Sequence, residues 1–287
     1  MSYDIYTGLL KAFALPTEKN GEINFSCDTN HPKFNTLKSD YSIETIAGTG
    51  DDFSRAVNLL HWVSCHIYHK GDYAGRIAQN SLDLLNYSFD KDSSSGINCV
   101  GLSTVLSECL LAIGLMARKV FIMPCSPFDG DNHVVVHVYI KKLNKWVMLD
   151  PTLNAYIKNE QGECLGLLEL RDYLANQIPL FFNDEAKYND DEWTAESAKE
   201  NVEYFAKNLF YFQASEISSF DNSEIPNNRF ITLCPQGYDP KQVRLANIEY
   251  RIRKYGDNPN MQGWMENSKK EKYIYCSTTD FEEIPLL

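Results

Sequence analysis

The sequence predicts an α+β fold in which a cysteine at a helix N-terminus packs on an antiparallel sheet, and three observations support it. Cys99 follows the loop Ser93-Ser94-Ser95-Gly96-Ile97-Asn98 and opens an amphipathic run. A β-branched segment comes next, His133-Val134-Val135-Val136-His137-Val138-Tyr139-Ile140, answered four residues later by Lys145-Trp146-Val147-Met148-Leu149-Asp150. Helical patterns flank both, with further strand-like segments toward the C-terminus. A chain of 287 residues permits one large domain or a core domain with an appendage.

In chain order, residues 1–50 mix an apolar start with turns rich in Asn, Gly and Thr and offer no motif. From Asp52 the stripe Phe53, Val57, Leu60, Val63 and Ile67 predicts a helix. Asn80 is a favourable N-cap for a short helix through Leu82, Leu85 and Phe89. After Cys99, the positions Leu102, Val105, Leu106, Cys109, Leu110 and Ile113 recur at helical spacing until Gly114 stops them. The Cys99 sulfur therefore meets the orphan amides and positive dipole end of a first helical turn.

Segment 116–123 alternates weakly and ends before Pro124, as a strand does, while 125–132 reads as a loop. Segment 133–140 has strong β character. A hairpin loop at 141–144 returns the chain as a partner strand that ends at Asp150, because Pro151 cannot donate to a ladder. Beyond it, 154–163 reads as a loop or hairpin, 165–177 as a helix, and the acidic 183–192 as an exposed connection. A helix over 194–210 with Thr194 as N-cap follows, then strands at 209–213, 229–233 and 272–276, with a helix at 241–255. These strands are expected to extend the sheet or flank its cleft. No internal repeat or low-complexity tract points to a scaffold array.

Thiol, imidazole and carboxylate belong together chemically. A helix N-terminus and an imidazolium lower a thiol by several pKa units from its free value near 8.5. The thiolate is then a nucleophile, and a carboxylate on the far nitrogen of the imidazole holds the tautomer needed to move a proton. Cys99 and Asp150 fit the first and last roles. His133 and His137 compete for the middle one: four residues apart on a strand, they share a face but lie roughly 13 Å from each other. A two-residue hairpin loop pairs Asp150 with His137, whereas a four-residue loop sets it opposite Val135, diagonal to both. Hairpin geometry alone leaves them tied.

Gly96-Ile97-Asn98-Cys99-Val100-Gly101-Leu102-Ser103, the closing Leu111-Ala112-Ile113-Gly114-Leu115-Met116-Ala117-Arg118, His133 with its valines, and 146–152 together resemble the transglutaminase-like superfamily. The resemblance runs from about Asp52 to Tyr156 and implies a transglutaminase-like, papain-like core. It gives the catalytic role to Cys99, His133 and Asp150, with His137 where the family usually carries an acidic residue. It further implies an oxyanion donor upstream of Cys99, beside the Cys99 amide itself. Asn80 or Gln79 fits that position, and N-capping is the competing use of Asn80.

The expected division is an N-terminal segment 1–50 packing on the core, a transglutaminase-like catalytic core 51–182, and a C-terminal α/β extension 183–287 continuous with it. The expected reaction is attack on an amide carbonyl through a Cys99 thioester, with His133 as base and then acid and Asp150 orienting it. Water as acceptor makes a peptidase or amidase; an amine makes a transglutaminase. Hydrolysis is favoured, since the accessory calcium sites and extra domains of animal transglutaminases are not visible. A non-catalytic module that holds a peptide in the same cleft is the alternative of another class. A peptide or protein substrate is expected, without cofactor or metal.

Charge and cysteine usage narrow the setting. The 27 basic and 39 acidic residues give a formal charge of −12, which argues against a nucleic-acid partner. Eight cysteines (27, 65, 99, 109, 125, 164, 234 and 276) are too dilute for a disulfide scaffold and form no CxxC pair. With no signal-like N-terminus and no long apolar span, a cytoplasmic protein without membrane contact is expected.

Three weaker features compete with plain structural uses. His61, Cys65 and His69 fall at i, i+4 and i+8, a spacing that aligns ligands on one helical face, yet no distant paired ligand accompanies them. Asp129-Gly130-Asp131-Asn132 resembles part of a calcium loop without its distal Glu, and a turn leading into His133 explains it as well. Phe205, Phe210, Tyr211 and Phe212 suit a substrate groove or, more commonly, a core.

Overall fold

The computed structural model describes residues 2–19, 22–73, 79–129, 131–256 and 259–285. The first half carries α1 (Ser2–Ala12), β1 (Ser26–Cys27), α2 (Lys33–Tyr41), α3 (Ile43–Ala47), α4 (Asp52–His66), α5 (Ser81–Ser88), α6 (Cys99–Ala112), β2 (Ala117–Met123), β3 (His133–Ile140) and β4 (Lys145–Leu149). The second carries β5 (Ile157–Lys158), α7 (Leu167–Ala175), β6 (Phe181–Phe182), α8 (Ala195–Asn208), β7 (Tyr211–Ser215), β8 (Ile217–Ser218), β9 (Phe230–Leu233), α9 (Pro240–Tyr255), α10 (Pro259–Lys270), β10 (Ile274–Tyr275) and α11 (Thr278–Glu282). The fold is α+β, as the sequence predicts.

One six-stranded sheet, in the order β10-β9-β7-β2-β3-β4, organises these elements. From β9 to β4 every neighbour is antiparallel, and β10 lies parallel to β9 at the edge. All eight residues of β3 are buried, because helices cover both faces. That explains a run of valines where one covered face would give alternation. Val136 and Val138 pack with Leu37, Leu59, Leu84 and Leu106 of α2, α4, α5 and α6. Val135 and Met148 pack with Leu10, Leu170, Phe205 and Phe212 on the opposite side. Phe205, Phe210, Tyr211 and Phe212 are all buried core residues.

The hairpin takes the four-residue option. Ile140 pairs with Lys145 and Val136 with Leu149, so Asp150 follows opposite Val135. Asn144 closes the turn in the left-handed region at φ 50, a conformation Asn tolerates well.

Several elements depart from the sequence reading. Residues 1–50 hold α1, α2 and α3; α2 lies against α6, and α1 against α7 and α8. Helix α2 buries only Phe34 and Leu37 along its nine residues, too few apolar positions for a periodic signal. The acidic segment 183–192 is not a free connection. Asn183, Ala186 and Asn189 are buried, and the Asn183 side chain binds the backbone of Asn154 and Tyr156 at 3.1 and 2.9 Å. Its acidic groups face outward while its amides staple it to the core. None of the helices, among the described residues, is long and apolar enough to cross a membrane.

Candidate active site

Cys99 is the first residue of α6, so its amide has no acceptor within the helix. Asn98 caps that helix, its side chain accepting from the Gly101 amide at 3.1 Å. The preceding loop is fixed by a short parallel pairing: Ile97 donates to the Tyr68 carbonyl at 3.0 Å, and its own carbonyl accepts from Lys70 at 2.8 Å. Gly96 and Gly101 permit this approach. A Cβ on Gly96 would come within 2.9 Å of the Tyr68 carbonyl oxygen, and one on Gly101 within 2.9 Å of Ile97 Cδ1.

His133 begins β3 and Asp150 directly follows β4, so the antiparallel register brings them together. His133 Nε2 donates to Asp150 Oδ2 at 2.7 Å, with both residues buried. That bond leaves Nδ1 for the sulfur. Asp150 is itself held: its Oδ1 accepts from the Thr152 amide at 2.9 Å, and its backbone exchanges hydrogen bonds with Ala155. Ser64 of α4 donates to the Pro151 carbonyl at 2.8 Å and steadies the same turn.

The electrostatics follow from this geometry. Burial alone would push the Cys99 thiol up, but hydrogen bonds and positive charge from His133 and His69 bring it down to about 6. Burial opposes charge on His133 as well. Attraction and a hydrogen bond from Asp150, then Cys99, outweigh it and raise the imidazole to about 10. Thiolate and imidazolium thus stabilise each other at neutral pH. Elsewhere burial pushes thiols upward, to about 11 for Cys27 and Cys234 and about 12 for Cys276.

The other residues singled out by sequence divide clearly. His137 is fully buried, stacked on Trp146 at 4.9 Å with Arg118 Nη2 3.4 Å from its Nδ1. Burial and the Arg118 charge hold it far below the usual histidine range, so it is a neutral core side chain. Asn80 caps α5: its Oδ1 accepts from the Asp83 amide at 3.0 Å, and its Nδ2 donates to Asp83 and Asp221 carboxylates at 3.0 and 3.2 Å. Its amide is therefore committed to the cap and to Asp221. Gln79 precedes it in the connecting bend, half-buried.

The expected helical alignment of His61, Cys65 and His69 is broken. Helix α4 ends at His66 and Ile67 is extended at φ −124, so His69 leaves the face. His61 stays beside Cys65, Nε2 to Sγ 3.4 Å, and beside Asn154. No group of three metal-ligating side chains assembles among the described residues. Asp129 and Asp131 are answered by Lys207 of α8 at 3.3 and 3.5 Å, in keeping with a turn; Gly130 lies outside the described residues.

Sequence reasoning missed what surrounds the sulfur. His69 pairs with Ile97, two residues before Cys99, and adds to the lowering of its thiol. The Asn189 side chain brackets it, accepting from the His69 amide at 2.8 Å and donating to its carbonyl at 3.2 Å. His69 Nδ1 lies 2.9 Å from Tyr188 Oη. Tyr204 of α8 sets its ring against His133 at 5.5 Å and donates to the Asn132 carbonyl at 3.3 Å. The β-forming pair Ile67-Tyr68 was the available signal that α4 stops before His69.

The site thus sets a half-buried thiol on a helix start beside an imidazole and a carboxylate on adjoining strands. Residues 39–151 match the family model of the transglutaminase-like superfamily, a stretch that contains Cys99, His133 and Asp150. Members of that superfamily are usually cysteine-dependent enzymes. No curated protein matches the chain. Among solved structures, a candidate cysteine protease from Cytophaga hutchinsonii is similar at 15% identity and a TM-score of 0.31, over 61% of this chain and 58% of that one. Nocardia farcinica arylamine N-acetyltransferase is similar at 10% identity and a TM-score of 0.28, over 85% of this chain and 98% of the other.

Proposed function

We propose that the protein is a cysteine-dependent acyl-transfer enzyme that opens an amide bond through a Cys99 thioester, as a peptidase or amidase. One observation carries the reading: the buried His133–Asp150 pair leaves its second imidazole nitrogen to a thiol that ionises near 6. In this mechanism the Cys99 thiolate attacks the amide carbon and the π pair moves to oxygen. As the tetrahedral adduct collapses, the C–N bond breaks and His133 Nδ1 gives its proton to the departing amine. Water then attacks the thioester, losing a proton to His133, and the carboxylic acid leaves as the Cys99 sulfur is released. Asp150 keeps the proton of Nε2 in place throughout and so holds the tautomer.

An amine entering instead of water gives transamidation from the same thioester. Support for the nucleophile comes from the family match over 39–151 and from the contrast with the buried thiols. The test is a library of peptides and glutamine analogues, with mass spectrometry for an acyl adduct on Cys99. An adduct that is lost in Cys99→Ala and decays to free acid supports hydrolysis. Decay only upon adding an amine moves the assignment to transamidation. Peptide binding that survives Cys99→Ala, with no adduct from any peptide, overturns the enzyme reading in favour of a binding module.

A further inference from the structure

Resting on that acyl-transfer reading, we propose that Tyr204 of α8 is a positioning residue for the base: its ring sets the plane of the His133 imidazole, and its hydroxyl, with Lys207, holds the loop that leads into His133. Asp150 meets the imidazole at one atom, Nε2. A bond at one atom leaves the ring free to tilt about it, and the other nitrogen, Nδ1, tilts with the ring. Proton transfer needs that nitrogen within hydrogen-bond reach of its partner, so the plane of the ring must be fixed as well. Tyr204 and Phe205 fix it, their ring centroids 5.5 and 6.2 Å from that of His133 and their planes at 64° and 68° to it.

The backbone that carries the ring is held by the same helix. His133 is the first residue of β3, and the described residues just before it, 124–129 and 131–132, belong to no helix or strand. Tyr204 Oη donates to the carbonyl of Asn132, one residue before His133, at 3.3 Å. Burial and the Asp131 carboxylate raise the Tyr204 hydroxyl, so it stays a donor at neutral pH. Lys207, three residues on and therefore on the same face of α8, reaches Asp129 and Asp131 at 3.3 and 3.5 Å. Its ammonium lies 4.7 Å from the centre of the Tyr204 ring. Earlier in the loop, Asn247 of α9 donates to the Pro127 carbonyl at 2.6 Å and Tyr238 to the Cys125 carbonyl at 2.8 Å.

Helix α8 lies outside the stretch 39–151 that matches the family model, so the base is aimed by a part of the chain that the matched core does not include. Tyr204 itself takes no proton and acts through His133. The step that depends on it most is deacylation, in which His133 draws a proton from the water that attacks the thioester. Forming the thioester from an activated ester needs only the thiolate, because a nitrophenolate leaves without a proton. A side chain that merely fills the core would change stability without separating these two steps.

The test uses p-nitrophenyl acetate, whose burst reads acylation of Cys99 and whose steady rate reads deacylation, together with iodoacetamide alkylation of Cys99 as a function of pH. Tyr204→Leu, which removes the ring, is expected to slow deacylation on the order of 100-fold. Its acylation rate on the plateau above the thiol's titration stays unchanged, and its alkylation inflection moves upward from about 6. Tyr204→Phe keeps the ring, loses the bond to Asn132 and slows deacylation only about fivefold; Lys207→Met, which frees the loop with the ring in place, slows it by a similar factor. In a His133→Ala background Tyr204→Leu moves the inflection no further, since the group it positions is gone. Three results overturn the role of Tyr204 and leave the thioester reading intact: unchanged deacylation in folded Tyr204→Leu, unchanged deacylation in both Tyr204→Phe and Lys207→Met, or an inflection that moves equally with and without His133. A wild-type protein that is alkylated at Cys99 but never acylated overturns that reading itself, while the inflection still reads the effect of Tyr204 on His133.

Discussion

Burial makes most thiols of this chain harder to ionise, whereas at Cys99 two imidazoles reverse the direction. Iodoacetamide at pH 6.5 is therefore expected to modify Cys99 well ahead of Cys109 and Cys276, with a rate profile that inflects near 6. Peptide mapping of the alkylated protein reads this directly, and equal labelling of the three refutes an activated thiolate. Asp150→Asn is expected to cut turnover on the order of 10⁴-fold by releasing the imidazole tautomer, with little change in the far-UV spectrum. His133→Ala abolishes turnover, whereas His137→Ala spares the reactivity of Cys99 and lowers stability. The types and order of the three residues were legible in the sequence. Periodicity and hairpin geometry left the two histidines tied, because the four-residue loop sets Asp150 diagonal to both; only the resemblance to the transglutaminase-like superfamily singled out His133. His69 escaped because its proximity to Cys99 arises from pairing across the 30-residue gap between them, not from spacing along a helix.

At the level of single elements, the turn of chain that delivers the sulfur is tightly specified. Gly96→Ala is expected to separate segment 68–70 from Ile97, since the new methyl would meet Lys70 Cβ at 2.8 Å and the Tyr68 carbonyl at 2.9 Å. Alkylation of Cys99 at pH 6.5 should then slow toward that of an ordinary thiol. Asn80→Ala removes an N-cap and should cost about 1 kcal/mol in urea unfolding while leaving the alkylation rate of Cys99 unchanged. The long periodic helices α4, α6, α8 and α9 could be read from sequence because their apolar stripes span three or more turns. Helices α1, α2, α3, α10 and α11 were not. Helices α2, α3 and α11 run nine residues or fewer and depend on contacts with the rest of the fold, whereas α1 and α10 have an apolar face that the reading passed over.

Over the whole molecule, ionisation of the thiol and imidazole links the site to global stability. His133 binds a proton in the folded state above its ordinary 6.5, so its contribution is complete below 6.5 and is lost as pH rises toward about 10. Cys99 has the opposite sign: its contribution is complete above the ordinary 9.0 and is lost as pH falls toward about 6. Across the overlap, from about 6.5 to 9, the two slopes offset each other and stability should be nearly flat. Cys99→Ala leaves the His133 slope alone, so its unfolding free energy should decline as pH rises through that window; urea titrations at several pH values test it. The C-terminal α11 locks the far side of the sheet, with the Phe281 ring over Arg118 at 4.2 Å and Trp146 Nε1 donating to the Glu282 carbonyl at 3.2 Å. Phe281→Ala should therefore cost about 3–5 kcal/mol.

The bracket that Asn189 places on His69 joins residues 120 positions apart, and this has a consequence for how the protein matures. A ribosome exposes Cys99 and His69 long before it has made residues 188 and 189, and before α8 can set Tyr204 against His133. Before those later segments arrive, His133 and Asp150 are already made and able to meet Cys99, but the His69 side of the site lacks its bracket. The surroundings of the nucleophile are thus finished only after about 90 further residues have been added, with roughly a third of the chain still to be made.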